Sequence, residues 1–104
     1  MNTLTTLEEF VNNVFKSNLA VVDFWAEWCN PCKRLEPVLE DFEKKHPHIK
    51  FFKVNVEHSP SIAEMYSVQG LPTLAFFKNG LLIDTFVGMP GNISILEEKM
   101  KNHK

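Results

Sequence analysis

The sequence predicts an α/β fold with a central mixed β-sheet of four to five strands flanked by four α-helices. Segments with strand and helix patterns alternate along most of the chain, which favours βαβ units and parallel pairing. Later, Asn79-Gly80 joins strand-like residues 73–78 and 81–87, which predicts a hairpin that adds antiparallel strands. With 104 residues, of which 44% are hydrophobic, the chain is expected to form a single domain over residues 1–104.

The first helix and the first strand have clear local signals. Apolar residues recur at helical spacing between Leu7 and Phe15, and Thr6 with Glu9 predicts a capping box at the helix start. Residues 19–26 are apolar almost without alternation, a pattern typical of a central strand that is covered on both faces.

The middle of the chain predicts a helix followed by a second strand. Helical spacing runs from Pro31 to about Lys45, and Pro37 within it is expected to bend the helix because proline removes a backbone donor. The strand is predicted from Ile49 to Val56.

Two further helices are predicted around the hairpin. Ser59 is a candidate N-cap, with Pro60 at the first helical position of a short helix through Tyr66. A final amphipathic helix is marked by Ile93, Leu96 and Met100.

Composition excludes several classes of function. A net charge of −2 and a pI near 6.1 give no electrostatic reason to bind nucleic acid or an acidic membrane. No apolar run approaches the roughly 20 residues that span a bilayer. Without a glycine-rich phosphate loop, no bound cofactor is expected. Residues 1–6 lack the pattern of an export signal, so we expect a cytoplasmic protein.

The chain has two cysteines, Cys29 and Cys32, and three interpretations compete for them. A structural disulfide closing four residues would contribute only about 2 kcal/mol. A zinc site with His46 and His48 has the wrong histidine spacing and too few thiolates, so no metal is expected. A redox dithiol fits best, because the motif lies between a buried strand and a helix whose N-terminus stabilises a thiolate.

Residues 23–33, Asp-Phe-Trp-Ala-Glu-Trp-Cys-Asn-Pro-Cys-Lys, closely resemble the active-site segment of the thioredoxin family. Four later segments resemble it in the same order: 52–56, 70–73, 77–80 and 87–88. The resemblance covers nearly the whole chain and implies the thioredoxin fold. One departure is Asn30-Pro31, which replaces the family's usual Gly-Pro between the cysteines. These two residues are expected to tune how easily the disulfide is reduced.

The resemblance implies roles for four residues near the motif. Cys29 would be the exposed nucleophile, and Cys32 the shielded thiol that resolves the mixed disulfide. Asp23 lies within an apolar strand, so burial should raise its pKa and suit it to accept the Cys32 proton; the alternative is an Asp that faces solvent at a strand edge. Lys53 is either an ion-pair partner of Asp23 or an ordinary solvated lysine.

Five other residues are expected to contact the substrate. Trp28 adjoins the first cysteine, and Gly88 and Met89 follow the hairpin. The resemblance implies a cis peptide bond before Pro72, which would present the backbone of Leu71 to an extended substrate segment.

The implied function is reduction of protein disulfides through a reversible Cys29–Cys32 disulfide. The family implies regeneration by thioredoxin reductase, an NADPH-dependent flavoprotein, and we expect a monomer. Two alternatives stay open. The pair could be more oxidising, as in an oxidase or isomerase, or the protein could act mainly as a docking module for a partner enzyme.

Overall fold

The structure is a computed structural model that describes residues 1–89 and 94–102. Its strands are β1 (Asn2–Thr3), β2 (Leu19–Trp25), β3 (Lys50–Asn55), β4 (Thr73–Lys78) and β5 (Leu81–Val87). Its helices are α1 (Leu7–Phe10), which continues directly into a π-helical segment (Val11–Phe15), then α2 (Asn30–Lys45), α3 (Pro60–Met65) and α4 (Ser94–Asn102). The predicted alternation of strands and helices is confirmed.

The strands form one mixed sheet in the order β1-β3-β2-β4-β5. The central strand β2 pairs in parallel with β3 and antiparallel with β4, and β4 and β5 form the predicted hairpin. The edge strand β1 was not predicted, because two residues are too few to show an alternating pattern. It pairs with β3, and the Leu4 N–H donates to the Lys53 carbonyl at 2.9 Å.

Apolar residues cover both faces of the sheet, which explains why the β2 sequence does not alternate. Alternate β2 residues, such as Val22 and Phe24, pack with Phe10 of α1 and Ile62 of α3. The intervening residues, such as Val21, face a second cluster that contains apolar side chains of α2 and α4. The segment that contains Cys29 and Cys32 therefore follows the end of β2, a central strand that is covered on both faces.

Two predicted turn and cap signals are confirmed. The Thr6 hydroxyl accepts from the Glu9 N–H at 3.1 Å, and the Glu9 carboxylate accepts from the Thr6 N–H at 3.1 Å, which completes the capping box. Asn79 and Gly80 have φ of 51° and 83°, the left-handed values that a two-residue hairpin turn of this type requires.

The predicted N-cap at Ser59 is correct in position but wrong in its contact. Ser59 precedes α3, yet its side chain does not cap the helix. Its hydroxyl instead donates to the Thr5 carbonyl at 2.6 Å, because the segment after β1 passes beside the start of α3. The hydroxyl therefore ties two distant parts of the chain together.

The last helix is described from Ser94 onward, and Leu96 on it is fully buried. The predicted helical residue Ile93 lies outside the described residues. Within residues 1–89 and 94–102, no helix has both the length and the apolar composition needed to cross a membrane.

Candidate active site

The two cysteines form a disulfide at the start of α2. Cys29 is the N-cap residue, and its Sγ accepts a hydrogen bond from the Cys32 backbone N–H at 3.2 Å. One amide of the first helical turn is therefore directed at this sulfur, in the arrangement that stabilises negative charge at a helix N-terminus. The same contact would favour a thiolate at Cys29 once the disulfide is reduced.

Both cysteines are buried in this oxidised state: Cys29 is 3% exposed and Cys32 is 2% exposed. The prediction that Cys29 is the exposed member of the pair is therefore wrong for the disulfide form. Its sulfur is bonded to Cys32 and turned over the first helical turn, so little of it reaches the surface. The exposed neighbour is Trp28, with 67% of its surface accessible.

The structure contradicts the zinc interpretation. The cysteines lie at the first turn of α2, whereas His46 and His48 follow its last residue. The 16 residues of that helix correspond to about 24 Å. Across the described ranges, 1–89 and 94–102, no group of three or more His, Cys, Asp or Glu side chains is placed to hold a metal ion.

Asn30 and Pro31, the residues between the cysteines, form the first turn of α2. Pro31 suits this position because no intrahelical acceptor is available there for the missing N–H. The Asn30 side chain is exposed, and in the described part of the chain it makes no hydrogen bond. Any influence of Asn30 on the disulfide therefore acts through the helix start rather than through a side-chain hydrogen bond to sulfur.

Asp23 lies on β2 with only 2% of its surface exposed, so the solvent-facing alternative is wrong. Its Oδ1 is buried and has no hydrogen-bond partner among the described residues. The pKa of Asp23 is raised to about 7, mainly by burial and also by repulsion from Glu36, while attraction to Lys53 opposes the rise. A carboxyl with such a pKa can exchange a proton near neutral pH, as the apolar surroundings of this residue predicted.

Lys53 lies opposite Asp23 in the β2–β3 register, but the two do not form an ion pair. The Lys53 ammonium binds the carboxylate of Glu36 on α2 instead, and its Nζ lies 5.0 Å from the centre of the Trp25 ring. Lys53 thus influences Asp23 by its charge without direct pairing. The predicted partnership is corrected, because a more exposed carboxylate competes for the same ammonium.

Glu36 interacts with Lys53 and influences Asp23, and the sequence analysis did not predict it as a site residue. It lies four positions after Cys32, one helical turn further along the same side of α2. Its side chain is partly buried, with 37% of its surface exposed. This spacing from the motif was the available signal.

A backbone hydrogen bond joins the two loops that flank the β4–β5 hairpin. The Leu71–Pro72 peptide bond is cis, as the resemblance implied. The Pro72 carbonyl accepts from the Gly88 N–H at 2.7 Å, which joins the loop before β4 to the segment after β5. Gly88 has φ of +94°, a conformation that favours glycine, and Met89 beside it is 39% exposed.

A shallow groove of about 190 Å³ lies next to these loops. Two predicted substrate-contacting residues line it, Trp28 and Leu71, together with Val56, Val68 and Gln69. The last three were not predicted, because nothing in their local sequence distinguishes them from ordinary surface residues. The groove is mainly apolar and begins beside the cysteine motif, so an apolar peptide segment fits its chemistry.

Residues 2–102 match the family model described as Thioredoxin. The chain belongs to the thioredoxin family. It is 42% identical over 90 residues to the thioredoxin of Chlamydia trachomatis, covering 86% of this chain and 87% of that protein. It is 44% identical over 88 residues to the thioredoxin of Buchnera aphidicola, covering 83% and 81%.

Solved structures of the thioredoxin family share the whole architecture. The Plasmodium falciparum thioredoxin superposes with a TM-score of 0.92 at 33% identity, with 100% of both chains covered. The Fasciola hepatica thioredoxin gives a TM-score of 0.88 at 39% identity, again over 100% of both chains. The thioredoxin fold is therefore confirmed. With its redox-active Cys29–Cys32 disulfide, the chain is a disulfide-reducing thiol–disulfide oxidoreductase.

Proposed function

We propose that the protein reduces disulfides of other cytoplasmic proteins, with Cys29 as the nucleophile and Cys32 as the resolving thiol. The Cys29 thiolate attacks a substrate disulfide, releases one substrate thiolate and forms a mixed disulfide. Cys32 then transfers its proton to Asp23 and attacks Cys29 Sγ. This second step releases the other substrate thiolate and restores the Cys29–Cys32 disulfide.

The contact that best supports these roles is the hydrogen bond from the Cys32 N–H to Cys29 Sγ. It gives only one of the two sulfurs the stabilisation of a helix N-terminal amide, so the pair is chemically asymmetric. Cys32 lies within the first turn of α2, behind the capping residue Cys29, which suits a thiol that reacts only after the substrate is attached. Placing both thiols one turn apart makes the second step intramolecular and therefore fast.

The surroundings support binding of an extended, apolar substrate segment. In the described part of the chain, the Leu71 backbone N–H and carbonyl make no hydrogen bonds, so both are available to pair with a substrate strand. Trp28 and Leu71 line the adjacent groove, and the hydrogen bond between Gly88 and Pro72 fixes the two loops relative to each other. Met89 follows Gly88 and is exposed, and its flexible side chain suits contact with an apolar substrate.

Each turnover oxidises the dithiol, so the protein needs an external donor of two electrons, which the family implies is NADPH-dependent thioredoxin reductase. We propose that residues 1–104 act as one monomeric domain without a bound cofactor.

A trapping experiment tests the two cysteine roles. Cys32→Ser, treated with a protein that contains a disulfide, should accumulate a covalent adduct that non-reducing electrophoresis separates and dithiothreitol releases. The matched control Cys29→Ser should form far less adduct, because the remaining Cys32 thiol does not receive the hydrogen bond that the Cys32 N–H donates to Cys29 Sγ. Equal adduct from both variants would refute the assignment of nucleophile and resolving thiol.

Equilibration with a glutathione redox buffer tests the direction of electron flow. A reductant should have a reduction potential near the thioredoxin value of about −270 mV, whereas an oxidase or isomerase should lie nearer −180 mV or above. Reduction of insulin by NADPH and a thioredoxin reductase should depend on both cysteines. Biological activity that survives loss of both thiols would favour the docking interpretation instead.

A further inference from the structure

Three charged side chains lie together on the α2 face of the sheet. Asp23 on β2 and Lys53 on β3 are register partners, so their side chains leave the sheet on the same side. Glu36 reaches this layer from α2 and binds the Lys53 ammonium. The Lys53 ammonium therefore acts on two carboxylates by its charge but forms an ion pair only with Glu36 on the helix.

Burial explains why Lys53 pairs with Glu36. The side chains of Lys53 and Glu36 are 20% and 37% exposed, whereas Asp23 is 2% exposed. Moving the ammonium onto Asp23 would remove more of its hydration, so the ion pair with Glu36 costs less to form while Glu36 is present. The Trp25 ring, 5.0 Å from the Lys53 Nζ, supplies further attraction at the place where the ammonium now lies.

We propose that Glu36 is a positioning residue for disulfide exchange: by binding Lys53 it withholds this cation from Asp23, so that the buried carboxyl can hold a proton at neutral pH. This inference rests on the proposed role of Asp23 as the proton acceptor for Cys32. Without Glu36, Lys53 would be free to turn toward its register partner. Asp23 would then remain a carboxylate under conditions in which the native protein protonates it.

The other elements around Asp23 contribute no competing charge within the described residues. On β4 its register partner is Leu74, and α4 places Leu96 in the same layer. Lys33 and Arg34 of α2 are exposed, and the two cysteines do not titrate while they are bonded to each other. Glu36 and Lys53 are the two charged residues that act on the pKa of Asp23.

The proton step shows why this arrangement matters. In the mixed disulfide, the Cys32 S–H bond breaks, the proton moves to an Asp23 carboxylate oxygen, and the sulfur electron pair attacks Cys29 Sγ. The bond from Cys29 to the substrate sulfur breaks, and the substrate leaves as a thiolate. A carboxylate neutralised by a bound ammonium is a weaker base than an unpaired one, so release of Lys53 onto Asp23 would slow this transfer.

Titration of the oxidised protein tests the proposal directly, because the disulfide removes the cysteines from the titration. The NMR shift of the Asp23 side-chain carboxyl carbon is followed with pH in the native protein and in Glu36→Gln. We expect the midpoint, near 7 in the native protein, to fall by about one to three pH units in the variant. The control is Glu40→Gln, an exposed glutamate one turn further along α2, which should leave the midpoint unchanged. An unchanged midpoint in Glu36→Gln would overturn the proposal.

A second pair of variants tests whether Glu36 acts through Lys53. The same Glu36→Gln change is made in a Lys53→Gln background, where no cation can turn toward Asp23. We expect the fall in the Asp23 midpoint to be at most half as large in this background. An equally large fall would show that Glu36 acts by direct repulsion alone, and it would refute the positioning role.

The pH dependence of turnover separates this inference from the proposed function. Dithiol-dependent insulin reduction should have an acidic limb that moves to lower pH in Glu36→Gln and is lost in Asp23→Asn. If Asp23→Asn leaves that limb unchanged, Asp23 is not the proton acceptor, and the proposed function is revised at that step. The NMR midpoint would still show independently whether Glu36 controls the protonation of Asp23.

Discussion

Replacing Asp23 with asparagine should stabilise the folded protein at neutral and alkaline pH. Burial raises the pKa of this carboxyl from 3.8 to about 7, so above pH 7 the fold must hold a charge that it disfavours. A pKa rise of about three units corresponds to about 4 kcal/mol of unfolding free energy. Because the folded state binds the proton more tightly, native stability falls as pH rises from 3.8 to about 7 and then stays lower.

The assay is urea unfolding of the oxidised native protein and of Asp23→Asn, each from about pH 4 to about pH 8. The difference in unfolding free energy isolates the contribution of Asp23, because the other titrating groups contribute equally to both proteins. The difference in unfolding free energy should change by about 4 kcal/mol in favour of the variant across that range. Its value at the acidic end reports the separate cost of burying an amide, about 1–3 kcal/mol if the amide finds no partner. A difference that varies by less than about 1 kcal/mol with pH would refute the buried, charge-disfavouring environment assigned to Asp23.

Three further changes test other parts of the structure. Gly88→Ala should lower the unfolding free energy by about 1–2 kcal/mol in urea titrations, because φ of +94° is unfavourable for alanine although its Cβ meets nothing within 4 Å. Thr6→Ala should lower it by about 1 kcal/mol through loss of the capping box, and thermal unfolding should show no effect if that cap is unimportant. Trp28→Ala should raise the KM for a peptide disulfide by about five- to tenfold while kcat changes little, since the side chain is largely exposed beside the groove; an unchanged KM in steady-state kinetics would remove Trp28 from the docking surface.

Local signals in the sequence predicted the parts of the fold that depend on local physics. The capping box at Thr6 and the left-handed turn at Asn79-Gly80 require particular residue types at fixed spacing, and both are present. The continuous apolar run of β2 predicted a strand covered on both faces, which the two core clusters confirm. Asp23 within that run was recognised as buried for the same reason.

Features that depend on contacts between distant segments could not be predicted in this way. The strand β1 is defined only by its pairing with β3, and Ser59 bonds to Thr5 rather than to its own helix. The choice of Glu36 over Asp23 as the partner of Lys53 depends on relative burial, which a single sequence does not show. The low exposure of Cys29 follows from its bond to Cys32, a property of the redox state.

The hydrogen bond between the Cys32 amide and Cys29 Sγ makes the beginning of α2 part of a thermodynamic cycle. The cycle links four states: the folded and the unfolded chain, each with the cysteines reduced or oxidised. The disulfide and dithiol forms therefore differ in free energy of unfolding by the same amount as the free energy of reduction differs between the folded and the unfolded chain. A substitution that favours one form by about 1.4 kcal/mol shifts the midpoint of reduction by about 30 mV, even when it is remote from sulfur. Evolution can therefore adjust the electron affinity of this protein through residues that shape a helix end, without altering either cysteine.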